Sequence, residues 1–320
     1  MGNLTVSVLG KLDYSNDFGK KGTSTDITLF NLKKGENTVT FIEPTRYPDR
    51  LAPLFYACSL AKKAIVVIEA LNANLGESLV MLHCCGIHDG YIILRNYITP
   101  ENVRPLLKHT ILENYKFVAD DPVALKEELM AEATQTNSTN EEQTSGIVSV
   151  DHSFNVKGVG AVILGVVAHG NIKKHTIINV LPGIKTTQIR SIQKHDDTFE
   201  SANKGDRVGL ALKNVKIDDV ERGTVLTNDM TVKESKIINA SATLVKYWQN
   251  PIKVGMVLHV GNWMQVLNCT VESVLDTGNW REPMLTLSLE KEIIHRPGDV
   301  AVLMYLEGGK LRVMGTIKLP

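Results

Sequence analysis

Apolar and polar positions alternate in more than one rhythm along this chain. In the first 118 residues, short apolar runs at 4–9, 39–42, 64–68, 91–94 and 115–118 read as strands. Segments at 49–62, 77–85 and 101–108 show helical spacing between them, with Pro48 and Pro100 where a helix start tolerates proline. An alternating stretch at 26–32 leads through Lys33-Lys-Gly-Glu-Asn37, a hairpin turn, into the run at 39–42. Strands alternating with helices predict a largely parallel sheet with covered faces.

After residue 118 the rhythm changes. Asp120-Asp121-Pro122 opens a helix through Met130, its acidic residues suited to the positive helix end. The polar stretch 133–144 lacks an apolar anchor and reads as a flexible linker. From 147 to 227, β-branched runs are broken by glycines at turn positions, as strands bending around a small barrel require. Further apolar runs at 242–247, 256–260, 269–274, 284–289, 300–306 and 311–317 suit a second, six-stranded barrel.

Composition narrows this picture a little. A chain of 320 residues suits two or three domains. Lys plus Arg equals Asp plus Glu at 35 each, so any nucleic-acid contact must come from a local patch. Cys58, Cys84, Cys85 and Cys269 fit a reduced interior better than a disulfide framework. With no apolar leader and no run long enough to span a bilayer, the expectation is a cytoplasmic protein without membrane contact.

The glycine-punctuated segment carries a resemblance. Arg190-Ser-Ile-Gln193, Gly205-Asp-Arg-Val-Gly-Leu-Ala211 and Arg222-Gly-Thr-Val-Leu-Thr227, with the spacing between them, resemble domain II of the translational GTPases of the elongation factor Tu type. Within that group they resemble the archaeal and eukaryotic selenocysteine-specific elongation factors. Arg296-Pro-Gly-Asp299, Glu307-Gly-Gly-Lys-Leu-Arg312 and Gly315-Thr resemble the end of domain III in the same factors. The resemblance implies a degenerate GTPase-like α/β domain at 1–118, a helix and linker at 119–145, and β-barrels at 146–232 and 233–320.

The first domain departs from that family where nucleotide chemistry should lie. A P-loop needs GxxxxGK[ST], so that backbone amides wrap the phosphates, a lysine reaches them and a hydroxyl holds magnesium. Here Gly10 is followed by Lys-Leu-Asp-Tyr-Ser15, Gly19-Lys20 is followed by lysine, and no helical segment comes next. Where the family has Asp-x-x-Gly and then histidine, this chain has Glu43-Pro-Thr-Arg46-Tyr47, with a side chain at the position that glycine leaves open to the γ-phosphate. In place of the guanine-reading Asn-Lys-x-Asp it has Arg95-Asn96-Tyr97-Ile98, without the aspartate that would accept from the base. These residues read as a pseudo-GTPase domain without a catalytic residue.

Plainer accounts stand beside several motifs. Gly19-Lys-Lys-Gly22 reads as a surface turn rather than an anion site. Glu43 and Arg46 read as an ion pair that replaces lost magnesium and phosphate charge. His83-Cys84-Cys85 with His88 reads as buried structural cysteine rather than a metal site, since adjacent helical cysteines point about 100° apart and no second ligand pair follows.

The resemblance implies binding of aminoacyl-tRNA, with its acceptor end against domain II. On the family pattern the residue that stacks on the terminal adenosine falls at Gln193, and Arg190, Lys194, His195 and Arg207 could bind phosphate or the aminoacyl group. Their other reading is as exposed residues on a barrel rim. Two functions follow. One is a non-GTPase binding module for aminoacyl-tRNA, the ribosome or a translation partner, with no DNA and no cofactor. The other is a divergent elongation factor that still binds GTP and magnesium and delivers a specialised aminoacyl-tRNA. A structural protein that pairs through an exposed barrel edge is a third class.

Overall fold

The structure is a computed structural model that describes residues 2–135, 145–195 and 197–320. Most of the expected linker, from residue 136 to 144, and Asp196 beside the candidate barrel site lie outside the described residues. The chain divides into two compact units, one of Met1–Asn137, Thr243–Asn250 and Val302–Thr316, the other of Ser138–Ala242, Pro251–Ala301 and Ile317–Pro320.

The first unit is built on a seven-stranded sheet. Its strands are β1 (Asn3–Leu9), β2 (Lys20–Ser24), β3 (Thr28–Lys34), β4 (Asn37–Glu43), β5 (Lys63–Ile68), β6 (Asp89–Leu94) and β7 (Lys116–Val118), in the order β2-β3-β4-β1-β5-β6-β7. The strands from β4 to β7 run parallel, and β2 and β3 are antiparallel additions at one edge. Every residue of β1 is buried, as expected of a central parallel strand covered on both faces. The helices are α1 (Ala52–Ser59), α2 (Ala73–Cys84), α3 (Pro100–Leu107) and α4 (Pro122–Gln135).

Two expectations change here. The turn read at Gly19-Lys-Lys-Gly22 is an edge strand, with Lys20 opposite Asn31 in the ladder. Its lysine-rich sequence conceals it because four of its five residues are exposed to water, where charge suits an edge. The helix expected to fade before residue 133 continues to Gln135. Ala133 is fully buried with Leu125, Leu129 and Met130, and α4 packs on β1 and β4.

The connection after β1 is short. A 3-10 turn over Tyr14–Asp17 is followed by Phe18, and the two aromatic rings close the sheet face that α4 also covers. Phe18 stacks on Phe41, with ring centroids 4.9 Å apart and planes 15° apart, and Tyr14 meets Phe18 edge-on at 5.3 Å. Two large apolar rings thus supply cover that would otherwise need a helix.

Eight strands follow: β8 (Gly146–Val156), β9 (Gly160–Lys173), β10 (Ile177–Leu181), β11 (Lys185–Lys194), β12 (Asp197–Phe199), β13 (Ser201–Asn203), β14 (Arg207–Lys213) and β15 (Val225–Thr227). The order β10-β15-β8-β9-β14-β11 returns to β10, so six strands close a barrel, with β12 beside β11 and β13 beside β9. Its interior is filled by Val148, Ile163, Ile189, Ile192, Leu210 and Leu226 among others.

The second barrel is closed in the order β16-β19-β18-β17-β20-β21. Its strands are β16 (Lys233–Leu244), β17 (Val257–Asn262), β18 (Gln265–Leu275), β19 (Met284–His295), β20 (Val300–Met304) and β21 (Val313–Lys318). The first of these ends where the sequence places its run at 242–247. Its inward residues, Ile238, Ala240, Ala242 and Leu244, alternate with polar ones, and two alanines give a weak apolar signal. No helix among the described residues is long and apolar enough to cross a membrane.

Candidate functional site

The sheet order and the short connection after β1 together decide what the carboxyl end of the first sheet can do. Gly10 ends β1 at φ +90°, and a Cβ there would lie 2.0 Å from the carbonyl oxygen of Val67. The chain then turns back over the sheet, and its amides point at a carboxylate. Asp13 N–H donates to Glu43 Oε2 at 2.6 Å, and Ser15 N–H donates to Glu43 Oε1 at 2.7 Å. Glu43 is 1% exposed.

Backbone donors converging on an anion are how a phosphate loop works, and here the anion is part of the chain. Burial raises the Glu43 carboxyl above its ordinary value, and the hydrogen bonds from Ser15 and Asp13 pull the other way. The expected Glu43–Arg46 ion pair gives way to this arrangement. Two amides meet the carboxylate, while the Arg46 backbone N–H donates to the Asp26 carbonyl. Gly19 serves the sheet, since a Cβ there would come within 2.7 Å of the Asn31 carbonyl oxygen.

At the ends of β6 and β7 a second charged cluster fills the surface. Arg95 donates through Nε to Asp120 Oδ2 at 2.7 Å, its Nη2 lies 2.6 Å from the same oxygen, and its Nη1 is 3.1 Å from Glu69 Oε1. Its guanidinium lies 5.4 Å from the centre of the Tyr14 ring, whose hydroxyl donates to Asp120 Oδ1 at 2.8 Å. Burial, and then Asp120, raise the Tyr14 phenol above its ordinary range, which keeps it a donor. Lys11 Nζ reaches Glu69 at 3.2 Å, and Asn96 Nδ2 donates to the Glu69 carbonyl at 3.0 Å. Asn96 and Tyr97 both have positive φ, at 52° and 61°. Arg95 and Asn96 thus serve contacts within the chain.

Tyr47 donates from its hydroxyl to the Asn74 carbonyl at 2.8 Å, and burial raises its phenol. Within the same unit Arg312 clasps Glu77, with its backbone N–H on Oε1 at 2.7 Å and Nη2 on Oε2 at 2.6 Å, and Nη1 donates to the Pro48 carbonyl at 3.1 Å. This pairing spans most of the chain and leaves no signal in local sequence.

On the first barrel the five candidate residues separate into two kinds. Arg190 and Gln193 are exposed on β11, with Arg190 Nη1 donating to the Val159 carbonyl at 2.8 Å and Gln193 opposite Gly209. His195 sits at φ 48° in the turn to β12. Lys194 is buried, 2.7 Å from Asp206 Oδ2, with Nζ 4.5 Å from the centre of the Phe199 ring. Arg207 forms a two-pronged pair with Asp151, Nη2 at 3.0 Å from Oδ1 and Nη1 on Oδ2. His152 Nδ1 also meets Asp151, at 2.7 Å. Burial by itself would raise the Asp151 carboxyl, but Arg207 and His152 outweigh it and hold it at about 2. The positive charges of Lys194 and Arg207 therefore face aspartates of the same barrel. Asp206 stands in the quoted Gly205-Asp-Arg motif, and Asp151 opens the Asp-His pair. Strand alternation alone did not mark either as a partner.

The cysteines are free, and neighbouring Cys58 together with burial raises the Cys85 thiol well above its ordinary value. Among the described residues no group of three or more His, Cys, Asp or Glu side chains could hold a metal ion.

An α/β sheet followed by two six-stranded barrels is the architecture of a translation elongation factor. Residues 160–227 match the family model of elongation factor Tu domain 2. The uncharacterized protein MJ0325 of Methanocaldococcus jannaschii is 35% identical over 323 aligned positions that cover all of both chains. The selenocysteine-specific elongation factor of the same organism is 21% identical, with 94% of this chain and 71% of that protein covered. Among solved structures, translation elongation factor SelB of Methanococcus maripaludis in complex with the GTP analogue GppNHp superposes with a TM-score of 0.81. The match covers 100% of this chain and 79% of that one at 20% identity. The chain belongs to the translational GTPase-like family and is related to the selenocysteine-specific elongation factors.

Proposed function

We propose that the protein is a non-GTPase binding module of translation, which holds aminoacyl-tRNA, the ribosome or a translation partner through its barrels. The observation that carries this reading is the Glu43 carboxylate, which takes the Asp13 and Ser15 amides at 2.6 and 2.7 Å in the loop after β1. A phosphate entering there would meet a buried anion instead of free donors, and the 3-10 turn offers no helix start behind it. Arg95, Asp120 and Tyr14 support the same reading at the ends of β6 and β7, where their groups bond to one another.

For the barrel, the reading uses Arg190 and Gln193 as the contacts to an RNA end, with His195 beside them. Lys194 and Arg207 hold the strands that present these residues. The test is a titration with a fluorescent GTP analogue, with and without magnesium. No saturable binding up to about 1 mM nucleotide is expected, a level at which a site of ordinary nucleotide affinity would be filled. Micromolar, magnesium-dependent binding would overturn the reading in favour of a divergent GTP-binding elongation factor.

A further inference from the structure

A cavity remains in the first sheet outside the Glu43 loop. It has a volume of about 280 Å³ and opens at the carboxyl ends of β1 and β5, beside the start of α2. The chain leaves β1 toward β2, β3 and β4 on one side and then crosses to β5 on the other, so this crevice is the topological switch point of the sheet. Open α/β sheets bind ligands at that place because the loops there diverge and leave a crevice.

The lining states what would fit. Val8, Val67, Ile68 and Leu75 make an apolar floor, and Pro44 and Tyr47 form a wall. The Tyr47 hydroxyl is tied to the Asn74 carbonyl, and Asn72 accepts from the Leu75 N–H at 2.9 Å, so both sides are held from behind. Lys11 and Glu69 also line the cavity, 3.2 Å apart, with 37% and 38% of their side chains exposed. Two opposite charges over an apolar floor favour a ligand that is itself neutral overall but carries both signs. An anion such as phosphate would gain from Lys11 and lose against Glu69. A purely apolar ligand would leave the pair unused. A whole nucleotide exceeds a volume that lies near the lower end of small-molecule sites, roughly 300 Å³.

We propose that this cavity binds a free aliphatic α-amino acid, with its carboxylate on Lys11 Nζ, its ammonium on the Glu69 carboxylate and its side chain against Val8, Val67, Ile68 and Leu75. Entry exchanges one exposed ion pair for two, and the partly exposed Lys11 side chain can swing to admit it. The site does not depend on the reading of the barrels.

The test is isothermal titration of the full chain with leucine, isoleucine and valine, beside isopentylamine and 4-methylpentanoate, which each keep the side chain and one charge. Saturable binding of at least one of the three amino acids is expected, with each single-charge analogue weaker by about tenfold or more. Lys11→Met and Glu69→Gln should each weaken the amino acid by a similar factor, with near-ultraviolet circular dichroism unchanged. Because Glu69 also meets Arg95, Lys11→Met is the decisive variant should Glu69→Gln disturb the fold. Absence of binding at about 10 mM, equal binding of the analogues, or an affinity untouched by Lys11→Met overturns the proposal.

Discussion

Two buried carboxylates in this chain are pushed in opposite directions, and the difference lies in what faces them. Glu43 is met by two neutral amides, so burial prevails and its carboxyl rises above the ordinary value. Asp151 would also rise on burial, but a guanidinium and an imidazole face it and hold it at about 2. Linkage then gives the signs. A depressed carboxyl contributes stability that is present in full above its unfolded value of 3.8 and is lost as pH falls toward 2. The raised Glu43 works the other way, and charging it costs the native state as pH rises past its ordinary 4.5. Asp151→Asn should therefore remove stability at neutral pH, by about 2–4 kcal/mol, because it leaves the largely buried Arg207 without its counter-charge. It should also flatten the loss between pH 4 and 2 relative to the native chain. Amide exchange at β8 and β14 checks both. Unchanged protection at neutral pH would show that the pair contributes little.

Among the elements, the 3-10 turn at Tyr14–Asp17 joins several parts of the first unit. With Asp13 just before it, it aims two amides at Glu43, sends the Tyr14 hydroxyl to Asp120, and sets Phe18 on Phe41. Phe18→Ala should cost about 3–5 kcal/mol, as truncation of a fully buried phenylalanine does, and lower exchange protection in β1 and β4. A loss below about 1 kcal/mol would mean that the face closes without the ring. This turn also shows the limit of sequence reading. The parallel runs from 39 to 118 were legible because continuous apolar residues are what a doubly covered strand needs. Four residues make too little of a period to reveal Tyr14 and Phe18 as core. The strand at Lys20–Ser24 was illegible for a related reason, since an edge strand open to water shows charge where alternation is sought. The absence of a phosphate loop could be read from spacing alone. What replaces it, a carboxylate from 28 residues away, could not.

Over the whole molecule, balanced charge limits how RNA could be held. The chain has 35 basic and 35 acidic residues, and on the first barrel Lys194 and Arg207 are neutralised by Asp206 and Asp151. Of the five candidate residues, Arg190 is the exposed arginine, and Gln193 beside it offers a polar, stackable amide. Such a site would release few counterions, since each single-strand phosphate contact adds only about −0.7 to the slope of log K against log salt. Binding of an aminoacyl-tRNA end at this barrel should then show a slope shallower than about −2. Arg190→Ala combined with Gln193→Ala should weaken it by about tenfold while shifting stability by no more than about 0.5 kcal/mol, since both side chains are exposed. A filter-binding series across salt concentrations, run beside thermal melts of both proteins, separates the outcomes. A steep slope with an unaffected double variant would move the RNA off this face and onto a basic surface elsewhere. A shallow slope lost together with Arg190 and Gln193 would leave the barrel rim as the place where the acceptor end is held.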